Sequence, residues 1–105
     1  MPSIDMEPDH RAMVAEILRK LVPGREVRAF GSRVTGKART YSDLDLVIMG
    51  SQPLSLSLLA ALRDAFSESD LPFRVDIVDW ATTSSTFREI ILQAAITLQE
   101  MESAP

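Results

Sequence analysis

The sequence predicts a small α/β domain in which one mixed β-sheet is covered by helices. Two kinds of apolar spacing alternate along the chain: repeats of three or four residues, typical of helices, and alternation of two, typical of strands. The chain has 105 residues, 46% of them hydrophobic. That length suits one small domain with a real core, which we expect to span residues 1–105.

The first half of the chain predicts a helix, a strand and a loop. Helical spacing of apolar residues runs over Asp9–Val22, and Pro23 with Gly24 ends the helix. Val27–Phe30 is a short strand that stops at Gly31. Ser32–Tyr41 is small, polar and basic, so we expect a loop that contains one helical turn.

The second half predicts two strands and two helices. Leu44–Met49 alternates as a strand, with Leu44, Leu46 and Ile48 on one face. We expect a helix over Leu56–Ser67, a strand over Phe73–Val78 and a last helix over Ser85–Met101. The apolar residues that we expect this last helix to turn inward are Phe87, Ile90, Ile91, Ala94, Ala95 and Leu98.

Composition excludes several classes of protein. The net charge is −4, and the basic residues are scattered except for Arg33, Lys37 and Arg39, so long nucleic acid is a poor partner. We expect no membrane segment, because no apolar run approaches the roughly 18 to 20 residues that span a bilayer. The N-terminus lacks the basic and apolar regions of a signal peptide, and there is no cysteine. We therefore expect a cytoplasmic protein.

Two acids begin the second predicted strand. Asp43 and Asp45 are two residues apart, so both project from one face, with about 6.6 to 6.8 Å between their Cα atoms. Two close carboxylates repel each other unless a cation lies between them. Oxygen ligands without cysteine favour Mg²⁺ over Zn²⁺. The alternative is a polar start of a strand that faces solvent.

A third acid lies inside the next predicted strand. Asp76 is flanked by apolar residues, and a carboxylate there is costly to bury unless it is paired, exposed or bound to metal. Asp79 is three residues on and faces the other way. If the strands are adjacent, Asp76 joins Asp43 and Asp45 in a cluster that can hold two metal ions. Alternatively, Asp76 is an ordinary outward residue on an open face.

The loop after the first strand suits a phosphate. Gly31 permits a sharp turn and a close ligand, and Ser32 offers a hydroxyl and an amide. The nearby positive charges of Arg33, Lys37 and Arg39 favour phosphate oxygens.

These motifs together resemble the minimal nucleotidyltransferase (MNT) family of the DNA polymerase beta superfamily. The likeness rests on Gly31–Gly36, Ser42–Leu46 and Val75–Asp79, and it covers about residues 25–102. It implies a polymerase beta-like core, two Mg²⁺ ions and ATP as nucleotide donor. The residues that the resemblance assigns are Asp43, Asp45 and Asp76 for metal and catalysis, with Asp76 as general base, and Gly31, Ser32 and Arg33 for the nucleotide's phosphates.

The resemblance also implies a reaction and a partner. We expect transfer of NMP, with AMP from ATP the favoured case, to a hydroxyl acceptor. The chain ends soon after its predicted core, so we expect the acceptor to come from a partner, in a homo- or hetero-oligomer. In the MNT family that partner is typically a HEPN protein, which the MNT antitoxin neutralises. Two alternatives stay open: an antitoxin that only masks its partner, and an enzyme that modifies a small molecule of the aminoglycoside type.

Overall fold

The structure is a computed structural model that describes residues 3–102. The helices are α1 (Pro8–Leu21), α2 (Ser32–Thr35), α3 (Leu56–Ser67) and α4 (Ser85–Gln93), and a short 3-10 turn spans Trp80–Thr82. The strands are β1 (Val27–Phe30), β2 (Leu44–Ile48), β3 (Val75–Asp79) and β4 (Ile96–Gln99). Within residues 3–102 no helix is long and apolar enough to cross a membrane.

The four strands form one mixed sheet, in the order β3-β2-β1-β4. Strand β1 is antiparallel to both β2 and β4, whereas β2 and β3 are parallel. A parallel pair requires a crossover connection, and α3 supplies it between β2 and β3. The predicted mixed sheet covered by helices is therefore confirmed.

The alternation of β2 divides the protein into two faces. Leu44, Leu46 and Ile48 are fully buried in the main core, together with residues of α1 and α3. Val47 points to the other face, where it packs with Phe30 and Ile91 in a smaller cluster. Because side chains alternate along a strand, Asp45 lies on the face of the smaller cluster, opposite α1 and α3.

The predicted last helix is wrong beyond Gln93. Helix α4 ends at Gln93, Ala94 already has non-helical torsions (φ −154°, ψ 80°), and β4 pairs antiparallel with the outer edge of β1. This pairing satisfies backbone groups of β1 that a helix could not reach. Of the residues expected to face inward, Ile91 is fully buried, but Phe87 and Ile90 remain 37% and 55% exposed. Ala94, Ile96 and Leu98 pack on the main core, and Ala95 packs on the smaller cluster.

Candidate active site

Two of the predicted acids lie side by side on neighbouring strands. Asp45 of β2 and Asp76 of β3 are partners in the parallel register. Adjacent strands are about 4.8 Å apart, so the two carboxylates share one small region of the sheet surface. Asp43 lies just before β2 and is exposed. Asp79 points to the opposite face, as expected, and accepts hydrogen bonds from the amides of Leu54 (2.9 Å) and Ala81 (3.2 Å).

The acids act on one another electrostatically. Partial burial raises the pKa of Asp45 above its ordinary value, and the like charges of Asp76 and Asp43 raise it further. The Arg74 guanidinium offsets part of this charge by donating to Oδ1 of Asp76 at 3.2 Å. The backbone carbonyl of Arg74 also accepts from the amide of Leu44 at 2.9 Å, which ties the start of β3 to β2.

Gly31 brings the phosphate loop against the acids. It has φ +82° and ψ −156°, a conformation that side chains rarely adopt. A Cβ at this position would overlap Oδ2 of Asp45 and lie 3.3 Å from its Cγ. The carbonyl of Gly31 accepts from the amides of Val34 (3.0 Å) and Thr35 (3.1 Å), which closes the predicted helical turn that Ser32 begins. The glycine therefore allows close contact between this turn and the Asp45 carboxylate.

The structure does not bring the Arg33 guanidinium to this group. Arg33 is 5% exposed, and it donates to the carbonyls of Asp5 (2.8 Å), Thr40 (3.1 Å) and Ser42 (3.0 Å). Its guanidinium also lies 4.1 Å from the ring centroid of Phe73. Sequence reasoning assigned the side chain to phosphate because it follows Gly31 and Ser32. Its contacts instead secure the loop that leads into Asp43.

The acidic group has the donor chemistry that a hard divalent cation requires. Asp43, Asp45 and Asp76 offer only oxygen atoms, which suits Mg²⁺. Partial burial, followed by the like charges of Asp76 and Asp43, raises the pKa of Asp45, and a bound cation would offset both effects. Across residues 3–102 no three histidine or acidic side chains converge on one point as they would around an ion.

A cavity of about 770 Å³ opens beside the acids, between the C-terminal half of α3 and the edge strand β3. Its lining includes Asp43 and Asp76, and also three residues that sequence reasoning left without a role: Tyr41, Arg63 and Arg74. The sequence could have indicated that Arg74 lies near Asp76, because residues two apart on an extended chain share a face. The position of Arg63 could not be predicted in this way, because it depends on how α3 packs against β3.

The sequence profile of the family described as "Nucleotidyltransferase domain" matches residues 11–103. The chain belongs to this nucleotidyltransferase family. It is 54% identical over 99 residues to a Haemophilus influenzae protein named "Probable protein adenylyltransferase MntA", a match that covers 94% of this chain and 87% of the relative. The resemblance to minimal nucleotidyltransferases is thereby confirmed.

Two solved structures share the fold of this nucleotidyltransferase. One is a toxin-antitoxin complex with AMP-PNP, with a TM-score of 0.73 and 22% identity, over 88% of this chain and 74% of that one. The other is a tri-AMPylated HEPN toxin of Shewanella oneidensis in complex with its MNT antitoxin. It has a TM-score of 0.69 and 21% identity, over 91% of this chain and 74% of that one. At these identities the likeness establishes the fold.

Proposed function

We propose that this nucleotidyltransferase transfers AMP from ATP to a hydroxyl group of a HEPN toxin, and so acts as the antitoxin of the pair. The observation that carries the proposal is the arrangement of Gly31, Asp45 and Asp76. The turn at Gly31, which is suited to phosphates, lies against the Asp45 carboxylate. Asp76 is the register partner of Asp45 on the neighbouring strand.

In the proposed reaction, Gly31 and Ser32 hold the β- and γ-phosphates of ATP at the end of β1. The acceptor oxygen attacks the α-phosphorus, and the bond from that phosphorus to the bridging oxygen of the β-phosphate breaks. Pyrophosphate leaves, and the proton of the hydroxyl passes to Asp76, which acts as general base. Asp76 suits this role because its carboxylate is partly exposed and lines the cavity beside the site.

Asp43, Asp45 and Asp76 would hold two Mg²⁺ ions, which supply charge neutralisation for the leaving pyrophosphate and a lower pKa for the attacking hydroxyl. The assignment is supported by the oxygen-donor chemistry of the three carboxylates and by the raised pKa of Asp45, which burial and then the charges of Asp76 and Asp43 produce. Arg33 has a positioning role in the proposal, because its three hydrogen bonds to carbonyls fix the approach of the chain to Asp43.

Two lines of support favour a HEPN protein as the acceptor. The Haemophilus relative carries the name of a protein adenylyltransferase, and the structural neighbours are complexes of toxins with antitoxins. Phe87 and Ile90 also expose apolar surface on α4, on the same sheet face as the acids, where a protein partner can cover it. The toxin of the Shewanella complex carries three AMP groups, so we extend the proposal to successive transfers. We place the reaction in the cytoplasm, where ATP is available.

The test is transfer of label from α-labelled ATP to the cognate HEPN protein in the presence of Mg²⁺. We expect label on the HEPN protein with the native chain and none with Asp43→Ala. Asp64→Asn is the control, because Asp64 is an exposed acid of α3 that does not line the cavity. Absence of transfer by the native chain, or undiminished transfer by Asp43→Ala, would refute an enzymatic role.

The exposed apolar side chains of α4 also suit a second function, in which the antitoxin only masks the toxin. The double variant Asp43→Asn, Asp45→Asn separates the two functions. If neutralisation of the HEPN toxin requires AMP transfer, this variant binds the toxin but does not protect cells from it. Full protection by the variant would favour masking.

A further inference from the structure

The segment that precedes α1 is fastened to α2. The amide of Asp5 donates to the carbonyl of Arg33 at 2.7 Å, and Nη1 of Arg33 donates to the carbonyl of Asp5 at 2.8 Å. We call these two hydrogen bonds the Asp5–Arg33 clamp. Ile4 and Met6, on either side of Asp5, pack on the main core. The segment therefore has a fixed position from which it can hold Arg33.

Arg33 connects this clamp to the loop that carries the first acid of the site. Most of the residues from 35 to 41 are exposed, so little packing holds the chain between α2 and β2. Nε and Nη2 of Arg33 donate to the carbonyls of Ser42 (3.0 Å) and Thr40 (3.1 Å) in this loop. Ser42 directly precedes Asp43. A single guanidinium therefore fixes the part of the loop that leads into Asp43.

The position of this guanidinium depends on all of its partners, because Arg33 is buried. One face of the guanidinium lies against the ring of Phe73, and the ring of His10 packs edge-on against that ring at 5.7 Å. A buried cation that loses one acceptor must find another partner or move towards water. Opening of the clamp should therefore displace Arg33, together with the loop carbonyls that it holds.

We infer that Asp5 is a positioning residue for the metal site: the clamp keeps Arg33 against the loop, and so keeps the Asp43 carboxylate within reach of the ions. The inference rests on the proposed function, since it takes Asp43 as a ligand of Mg²⁺. The clamp and the ions favour the same position of Asp43, so each must stabilise the other by the same factor. Bound Mg²⁺ should therefore protect the clamp from opening.

The first measurement is the Mg²⁺ concentration that gives half-maximal AMP transfer to the cognate HEPN protein at saturating ATP. Asp5→Pro removes the amide that donates to Arg33, and we expect it to raise this concentration about fivefold, the effect of one neutral hydrogen bond. The KM for ATP at saturating Mg²⁺ should stay unchanged. Asp5→Ala is the matched control, because it keeps the amide and removes a side chain that is exposed and forms no ion pair within residues 3–102.

The second measurement follows hydrogen exchange of the Asp5 amide in the native chain, without the HEPN protein. We expect exchange with ATP and Mg²⁺ to be about fivefold slower than with ATP and a chelator, by the same coupling. The amide of Glu102 is the reference. It donates to the carbonyl of Gly24 at 3.0 Å, near the opposite end of β1 from α2, and its exchange should not depend on Mg²⁺.

The outcomes separate the inference from the proposed function. An unchanged Mg²⁺ requirement in folded Asp5→Pro, or an equal rise in Asp5→Ala, overturns the inference and leaves AMP transfer standing. Exchange that Mg²⁺ does not slow at Asp5, or slows equally at Glu102, also overturns it. Thermal denaturation shows whether Asp5→Pro is folded, and if it is not, the exchange of the native chain decides. A native chain whose Asp5 amide is protected by Mg²⁺ but that transfers no AMP overturns the proposed function alone.

Discussion

Replacing Gly31 by alanine should damage both stability and activity, and the structure separates the two effects. Gly31 has φ +82° and ψ −156°, a backbone conformation that is favourable only for glycine. An alanine held in this conformation is strained by about 1 to 3 kcal/mol. The new methyl group would also overlap Oδ2 of Asp45. Forcing that side chain away from its rotamer adds about 0.5 to 1.5 kcal/mol. Together these costs are about 1.5 to 4.5 kcal/mol, and the displaced carboxylate should abolish AMP transfer.

Gly36→Ala is the matched control. Gly36 has nearly the same φ of +81°, but a Cβ there would meet no atom within 4 Å. Only the backbone strain remains, about 1 to 2 kcal/mol, and the Asp45 carboxylate keeps its position. Urea denaturation gives the free energy of unfolding, and label transfer to the HEPN protein gives the activity. Normal transfer by Gly31→Ala, or equal loss of transfer in both variants, would refute the close contact between Gly31 and Asp45 as the basis of the site.

Three further substitutions test other parts of the molecule. Arg33→Lys removes a guanidinium that donates to three carbonyls, so we expect urea denaturation to show a loss of about 1 to 3 kcal/mol in the free energy of unfolding. The affinity for ATP should be retained. A weakened affinity for ATP in a stable protein would instead support a contact between Arg33 and phosphate. Asp45→Asn should end transfer yet stabilise the metal-free protein at pH 7, because the raised pKa of Asp45 makes its ionisation unfavourable to folding. This gain in the free energy of unfolding should vanish as the pH falls below about 4, where the carboxyl is protonated in the unfolded chain too. Urea denaturation with a chelator present, at a series of pH values, measures it. A gain of the same size at every pH would contradict this explanation. Ile90→Ser should change stability little, since the side chain is 55% exposed. It should weaken binding of the HEPN protein in a calorimetric titration. An unchanged Kd would contradict the placement of α4 in the interface with the HEPN protein.

The acids of the site were predictable because strand periodicity fixes which way a side chain points. Leu44, Leu46 and Ile48 had to share one face, which left Asp45 on the other. The apolar neighbours of Asp76 placed it in a strand, and the parallel register then set it beside Asp45. Sequence alone could not give that register, because it depends on the crossover through α3.

Two parts of the structure were beyond the local sequence pattern. Helical spacing continues past Gln93, yet Ile96–Gln99 is a strand, because the free edge of β1 offers it hydrogen bonds that no local pattern records. Arg33 is the second case. Its position after Gly31 and Ser32 indicated a phosphate contact, but its guanidinium donates to the carbonyls of Thr40 and Ser42 in its own loop and to that of Asp5, which lies before α1.

The most direct measurement is the intact mass of the HEPN protein after incubation with ATP, Mg²⁺ and either the native chain, Asp45→Asn or Asp64→Asn. We expect whole AMP units to be added by the native chain and by Asp64→Asn, and none to be added by Asp45→Asn. Addition of AMP by Asp45→Asn at the native rate would contradict the claim that the carboxylate between Gly31 and Asp76 is the centre of the transfer site.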